Sequence, residues 1–141
     1  MDFGFDERTA QLQEQVRAFI TEMVRPAEPI FEEQLAASED RRAWDTVAIM
    51  QEIRAEARRR GLWNLFLPST GISNLQYAPL ADLTGRSPIA PAAMNCAAPA
   101  TGNMEVLHQF GTEAQKEKWL TPLLEGEIRS AFAMTEPDVA S

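Results

Sequence analysis

The stretch of sequence that decides the fold is residues 111–141, GTEAQKEKWLTPLLEGEIRSAFAMTEPDVAS. Thr112 and Gln115 have the spacing of a capping box, in which two side chains satisfy the free backbone N–H groups at the start of a helix. The box predicts a helix over 113–124, and Gly126 ends it. The apolar run at 128–134 that follows is typical of a β-strand. A helix followed by a strand is therefore expected in this stretch.

The rest of the chain has the periodicity of helices. Apolar residues recur at helical spacing on one face of each segment, and charged or amide side chains occupy the other face. The predicted helices cover 6–23, 30–35, 45–60, 74–84, 89–96, 103–110 and 113–124. Pro26 and Pro29 are expected to interrupt the helical pattern between the first two. The fold class predicted is all-α, a bundle of about six helices with one strand at its C-terminal end.

The lone strand predicts a domain boundary. No second strand is predicted in this sequence, and a buried strand without a partner leaves its backbone N–H and C=O groups unpaired. We therefore expect residues 1–126 to form a helical domain and residues 127–141 to be the first strand and following loop of a second, β-rich domain. The other strands of that domain would lie outside this sequence.

Composition narrows the function classes. The 141 residues include 13 basic and 21 acidic side chains, a net charge of −8, which argues against a nucleic-acid-binding surface. No run of about 18 apolar residues occurs, so no membrane span is predicted. The single Cys96 excludes an internal disulfide and, with the single His108, argues against a zinc site. No signal peptide is visible, and we expect the cytoplasm of a bacterium or the matrix of an organelle.

Most candidate sites in the sequence have a simpler structural interpretation. Cys96 lies among alanines and is interpreted as a small buried filler, and the tryptophans as helix-packing anchors. Neither a dinucleotide-binding nor a P-loop glycine motif occurs. Residues 132–141 differ, because a strand end, a threonine hydroxyl and a proline-braced turn form a donor array for a heteroaromatic edge or a phosphate. From the residues alone, a ligand site and a plain loop both remain open.

These same residues resemble a known signature. FAMTEPDVAS at 132–141 closely resembles the flavin-binding motif of the acyl-CoA dehydrogenase family, an aromatic residue and two small or apolar residues followed by Thr-Glu-Pro. The resemblance continues upstream through 111–126, which in the family is the helix that leads into the first strand of the middle β domain. Residues 77–81 and 95–105 are similar to the branch that includes the acyl-CoA dehydrogenase family members 10 and 11.

The resemblance implies an FAD site. In the family, the backbone at the positions of Met134 and Thr135, with the Thr135 hydroxyl, hydrogen-bonds the pyrimidine side of the flavin, and Phe132 closes the site. Ala133 replaces a cysteine often found at its position, which leaves backbone bonding unaffected. The position of Ser141 contacts acyl-CoA or an FAD phosphate.

The resemblance also implies a reaction and partners. The family oxidises acyl-CoA thioesters to 2-enoyl-CoA: a carboxylate base removes the α-proton and the β-hydride passes to the flavin. In the family, that base belongs to a later helical domain. We therefore expect no catalytic residue in residues 1–141, and these residues alone are expected to be inactive. We also expect no metal site here. Asp138 replaces a glycine common in straight-chain enzymes, which leaves the turn and the CoA contact open.

The implied partners are an acyl-CoA substrate, an electron-transfer flavoprotein or similar acceptor, and further copies of the protein in a homodimer or homotetramer. Two alternatives remain at this point. One is a flavin-dependent oxidase or monooxygenase of the same superfamily. The other is a stand-alone helical interaction module without a cofactor.

Overall fold

The structure is a computed structural model that describes residues 4–40 and 47–138. It confirms the all-α prediction, since every element with more than one residue in these ranges is helical. The α-helices are α1 (Glu7–Phe19), α2 (Arg25–Ala37), α3 (Ala48–Arg59), α4 (Asn74–Thr84), α5 (Ala90–Ala93), α6 (Ala100–Phe110), α7 (Glu113–Gln115) and α8 (Thr121–Leu124). Two π-helical turns, Ile20–Val24 and Lys116–Leu120, and a 3₁₀ turn, Pro68–Thr70, complete the set. No helix of the described ranges is long and apolar enough to cross a membrane.

The chain divides into two compact units, Met1–Cys96 and Ala97–Ser141. In the first unit α1 packs against α4, and α3 packs against both α2 and α5. In the second unit α6 packs against the second π-helical turn and α8. The domain boundary predicted after residue 126 stays a prediction.

The first unit begins with one continuous helical segment, where the sequence predicts two helices interrupted by proline. Asp6 caps α1 by accepting a hydrogen bond from the Thr9 N–H at 2.7 Å. The segment then passes through the first π-helical turn into α2 and reaches Ala37. Pro26 lies in the first turn of α2 and Pro29 inside it, so neither ends the helix.

The two π-helical turns have the same relation to proline. Each ends two residues before a proline, Pro26 in the first case and Pro122 in the second. A proline ring inside a helix clashes with the carbonyl four residues earlier, which here belongs to Glu22 or Lys118. Both carbonyls lie inside a π-helical turn, where the wider ring of atoms gives them room. The predicted helix 113–124 is accordingly formed as α7, a π-helical turn and α8.

The core of the first unit is made of side chains from all its longer helices and from the loop after α3. Its largest fully buried members are Phe19, Met50, Ile53, Leu62, Leu80 and Met94. The loop after α3 also buries Leu65, Phe66 and Leu67. Gly61 permits the chain reversal into that loop, because its φ of +70° is strained for any residue with a Cβ.

A charged cluster joins α3 to the first π-helical turn. Glu56 accepts hydrogen bonds from Arg59 and from Arg60, the latter at 2.7 Å, and Arg60 also reaches Glu22 at 2.9 Å. Hydrogen bonds from Arg59 and then Arg60 lower the pKa of Glu56 to about 2. Two of the three arginines at residues 58–60, the end of α3, are therefore engaged in this cluster.

The second unit contains the predicted capping box. The Gln115 side chain accepts a hydrogen bond from the Thr112 N–H at 2.9 Å, and the Thr112 hydroxyl accepts one from the Gln115 N–H at 3.3 Å. Leu120 and Leu123 are buried together with Met104 of α6. α6 begins at Ala100, three residues before its predicted start, and ends at Phe110, with Gly111 as its C-cap.

The strand predicted at 128–134 is wrong for this structure. Residues 129–135 have no regular secondary structure, and Glu136 forms only a single bridge. The physical reason is the absence of a partner strand among the described residues, since a strand needs a neighbour to hold its ladder of hydrogen bonds. An apolar sequence with strand propensity therefore lies as an irregular segment after α8.

Gly111 provides a test of packing in the second unit. Its N–H donates to the Leu107 carbonyl at 2.9 Å, and a Cβ at this position would lie 2.5 Å from the same oxygen. We expect Gly111→Ala to lower the free energy of unfolding by about 1–3 kcal/mol, since the backbone must shift to relieve this clash. Urea unfolding measures the change.

The matched control is Gly102→Ala. A Cβ there would meet its nearest neighbouring atom at an ordinary 3.8 Å, and alanine is about 0.5–1 kcal/mol better than glycine inside a helix. Gly102→Ala should leave stability equal or slightly raised. Equal losses in the two variants would contradict the steric account of Gly111.

The low pKa of Glu56 predicts a pH dependence of stability. Because its pKa is lower in the folded state, about 2 against a usual value of 4.5, the ion pairs stabilise the fold above the usual value. That stabilisation is lost as the pH falls from about 4.5 towards 2. In Glu56→Gln the decline should be shallower, as measured by urea unfolding over this pH range. Glu117→Gln, on an exposed carboxylate outside the cluster, should keep the slope of the unmodified protein; an unchanged slope in Glu56→Gln would contradict the prediction.

Candidate functional site

Four of the five predicted site residues lie together on the irregular segment that follows α8. These are Phe132, Ala133, Met134 and Thr135, and all four are exposed, with Phe132 at 61% and Met134 at 72%. The fifth, Ser141, lies outside the described residues. Large apolar side chains are seldom this exposed to solvent. A segment that exposes them can bind a ligand or another part of a protein.

Phe132 is placed beside the first turn of α6. Its Cζ lies 3.8 Å from the point where a Cβ on Gly102 would stand. The aromatic ring therefore lies next to a helix surface that has no side chain, and the glycine leaves open the space beside it. The sequence had not linked these two positions, because their approach depends on the path of the chain after α8.

An open groove lies in the second unit and is lined in part by residues 128–130, which precede this segment. It has a volume of about 310 Å³ and is mainly apolar. Side chains of α6, the second π-helical turn and the residues after α8 line it, among them Asn103, Val106, Leu107, Trp119, Leu123 and Ser130. Val106 is 58% exposed and Trp119 is 47% exposed. Trp119 is thus half open to the groove, where the sequence predicts a helix-packing anchor.

Ser130 contributes an unsatisfied group to this groove. Its hydroxyl oxygen is buried and has no hydrogen-bond partner among the described residues. Leaving a buried hydroxyl without a hydrogen-bond partner costs about 1–3 kcal/mol, so such groups are rare in native protein structures. The sequence does not single out Ser130 as a site residue. The available signal is that Ser130 and Arg129 are the two polar side chains in the run 128–134, and Ser130 is the uncharged one.

The donors of the segment suit the edge of an electron-rich heterocycle. Backbone N–H groups at Met134 and Thr135 and the Thr135 hydroxyl are all on exposed residues. Such groups hydrogen-bond ring nitrogens and carbonyl oxygens. Two exposed acidic residues follow this segment. Glu136 forms the single bridge, and Asp138 lies in the turn after it.

The remaining candidates do not form a reactive centre. Burial raises the pKa of the Cys96 thiol, and hydrogen bonds with Tyr77 and Thr84 act in the opposite direction. A thiol with a raised pKa stays protonated, which fits a structural filler better than a nucleophile. His108 is half-buried on α6. Within 4–40 and 47–138 no group of three or more His, Cys, Asp or Glu side chains could hold a metal ion.

Comparison with known proteins identifies the helical part. The family described as "Acyl-CoA dehydrogenase, N-terminal domain" matches residues 6–127. A solved structure assigned to the acyl-CoA dehydrogenases, from Mycobacterium abscessus, superimposes with a TM-score of 0.87 at 49% identity, covering 98% of this chain and 36% of that one. The fold of this chain is therefore that of the N-terminal helical domain.

Relatives from several organisms are also named as acyl-CoA dehydrogenases. The probable acyl-CoA dehydrogenase FadE2 of Mycobacterium tuberculosis is 50% identical, over 100% of this chain and 35% of its own length. Acyl-CoA dehydrogenase family member 10 of Mus musculus is 45% identical over 98% of this chain and 14% of its own length, and family member 11 of Homo sapiens is 46% identical over 89% and 16%. The chain thus spans about a third or less of these relatives. It belongs to the acyl-CoA dehydrogenase family, of which residues 6–127 form the N-terminal domain.

Proposed function

We propose that this chain is the helical portion of an FAD-dependent acyl-CoA dehydrogenase that oxidises acyl-CoA thioesters to 2-enoyl-CoA. The observation that carries the proposal is the exposed segment 132–135, whose sequence resembles the family's flavin signature and which directly follows the domain matched by the family. Bound FAD would supply the acceptor for the β-hydride of the substrate. The base that removes the α-proton is expected outside residues 1–141.

The residues of this segment would hold the flavin from one side. The Thr135 hydroxyl and the backbone at Met134 and Thr135 would donate hydrogen bonds to its pyrimidine edge, and Phe132 would close the site. Donors at that edge stabilise negative charge on the ring, which is how a protein tunes the electron affinity of a cofactor. Ala133 contributes backbone alone, so its small side chain suffices. The exposure of all four residues supports this assignment, because a cofactor could reach each of them.

The proposed partners follow from the same function. Acyl-CoA is the substrate, and Ser141 would contact it or an FAD phosphate. An electron-transfer flavoprotein or similar protein would take two electrons from the reduced flavin. We also propose a homodimer or homotetramer, located in a bacterial cytoplasm or an organellar matrix.

Turnover by the full-length protein tests the reaction. Under nitrogen, with acyl-CoA and an artificial electron acceptor, each acyl-CoA should lose two hydrogens and reduce one two-electron equivalent of acceptor as 2-enoyl-CoA forms. Mass spectrometry measures the oxidation of the thioester, and the absorbance of the acceptor measures its reduction. In a parallel assay in air, reduction of oxygen to hydrogen peroxide or insertion of oxygen into the product, together with no transfer to the artificial acceptor under nitrogen, would instead favour the oxidase or monooxygenase alternative. Full-length protein without flavin absorbance would favour the helical interaction module.

Residues 1–141 alone should neither turn over acyl-CoA nor bind FAD stoichiometrically, because they hold only one edge of the proposed site and no base. Titration of FAD into this chain, followed by flavin fluorescence, measures the binding. Tight binding at one FAD per chain would contradict this expectation while leaving the reaction of the full-length protein to its own test.

Thr135 tests the flavin assignment directly. In full-length protein, Thr135→Val removes the hydroxyl but keeps the shape of the side chain. A lost hydrogen bond of about 0.5–1.5 kcal/mol should weaken FAD binding about 2- to 13-fold and shift the flavin absorbance spectrum. Equilibrium titration of the apoprotein with FAD gives both readouts.

Two further variants control this experiment. Thr135→Ser keeps the hydroxyl and should bind FAD nearly as the unmodified protein does. Thr121→Val makes the same change on an exposed threonine at the start of α8 and should leave the affinity and the spectrum unchanged. If Thr135→Val matches Thr121→Val in both readouts, the hydroxyl of Thr135 does not contact the flavin.

A further inference from the structure

We draw no further inference here: the strongest candidate, the apolar groove of the second unit between α6, the second π-helical turn and Ser130, is an unpartnered surface, and nothing in the structure shows what covers it.

Discussion

The clash between a proline ring and the carbonyl four residues before it constrains one helical segment in each unit. Pro26 and Pro122 lack the N–H that an α-helix would use, and both lie in helical segments that continue past them. A π-helical turn placed just before each proline resolves the clash. In the first unit this turn carries Ile20 and Val24 into the core.

In the second unit, the π-helical turn also determines which side chains line the groove. The turn Lys116–Leu120 buries Leu120 and leaves the neighbouring Trp119 half open. A π-helical turn holds one more residue than an α-turn, so it shifts the face on which every later residue lies. The apolar character of the groove therefore follows from backbone geometry as much as from composition. π-helical turns are often found at functional sites, and this one lines the groove together with residues 128–130, which precede the segment proposed to hold FAD.

Local signals in the sequence were confirmed where neighbouring residues alone decide the outcome. The predicted bounds of α4 match the structure, because Ser73 caps its start and Gly85 follows its end. The capping box at Thr112 was confirmed for the same reason. The proline interruption and the strand at 128–134 were wrong, since a continuous helix depends on packing along its whole length and a strand on a partner elsewhere in the chain. At the site, the residues of the segment were predictable as a motif, whereas the unsatisfied Ser130 hydroxyl was not.

By itself, the sequence determined the all-α class, the main helix positions and the family resemblance, because periodicity, caps and a short motif are properties of adjacent residues. Only the tertiary structure decided that the helices run through Pro26 and Pro122, that Phe132 lies beside Gly102, and that Trp119 borders an open groove. Each of these depends on residues far apart in the chain, or on the choice between two backbone hydrogen-bond patterns of similar energy. Such choices are made by packing, which no local pattern records.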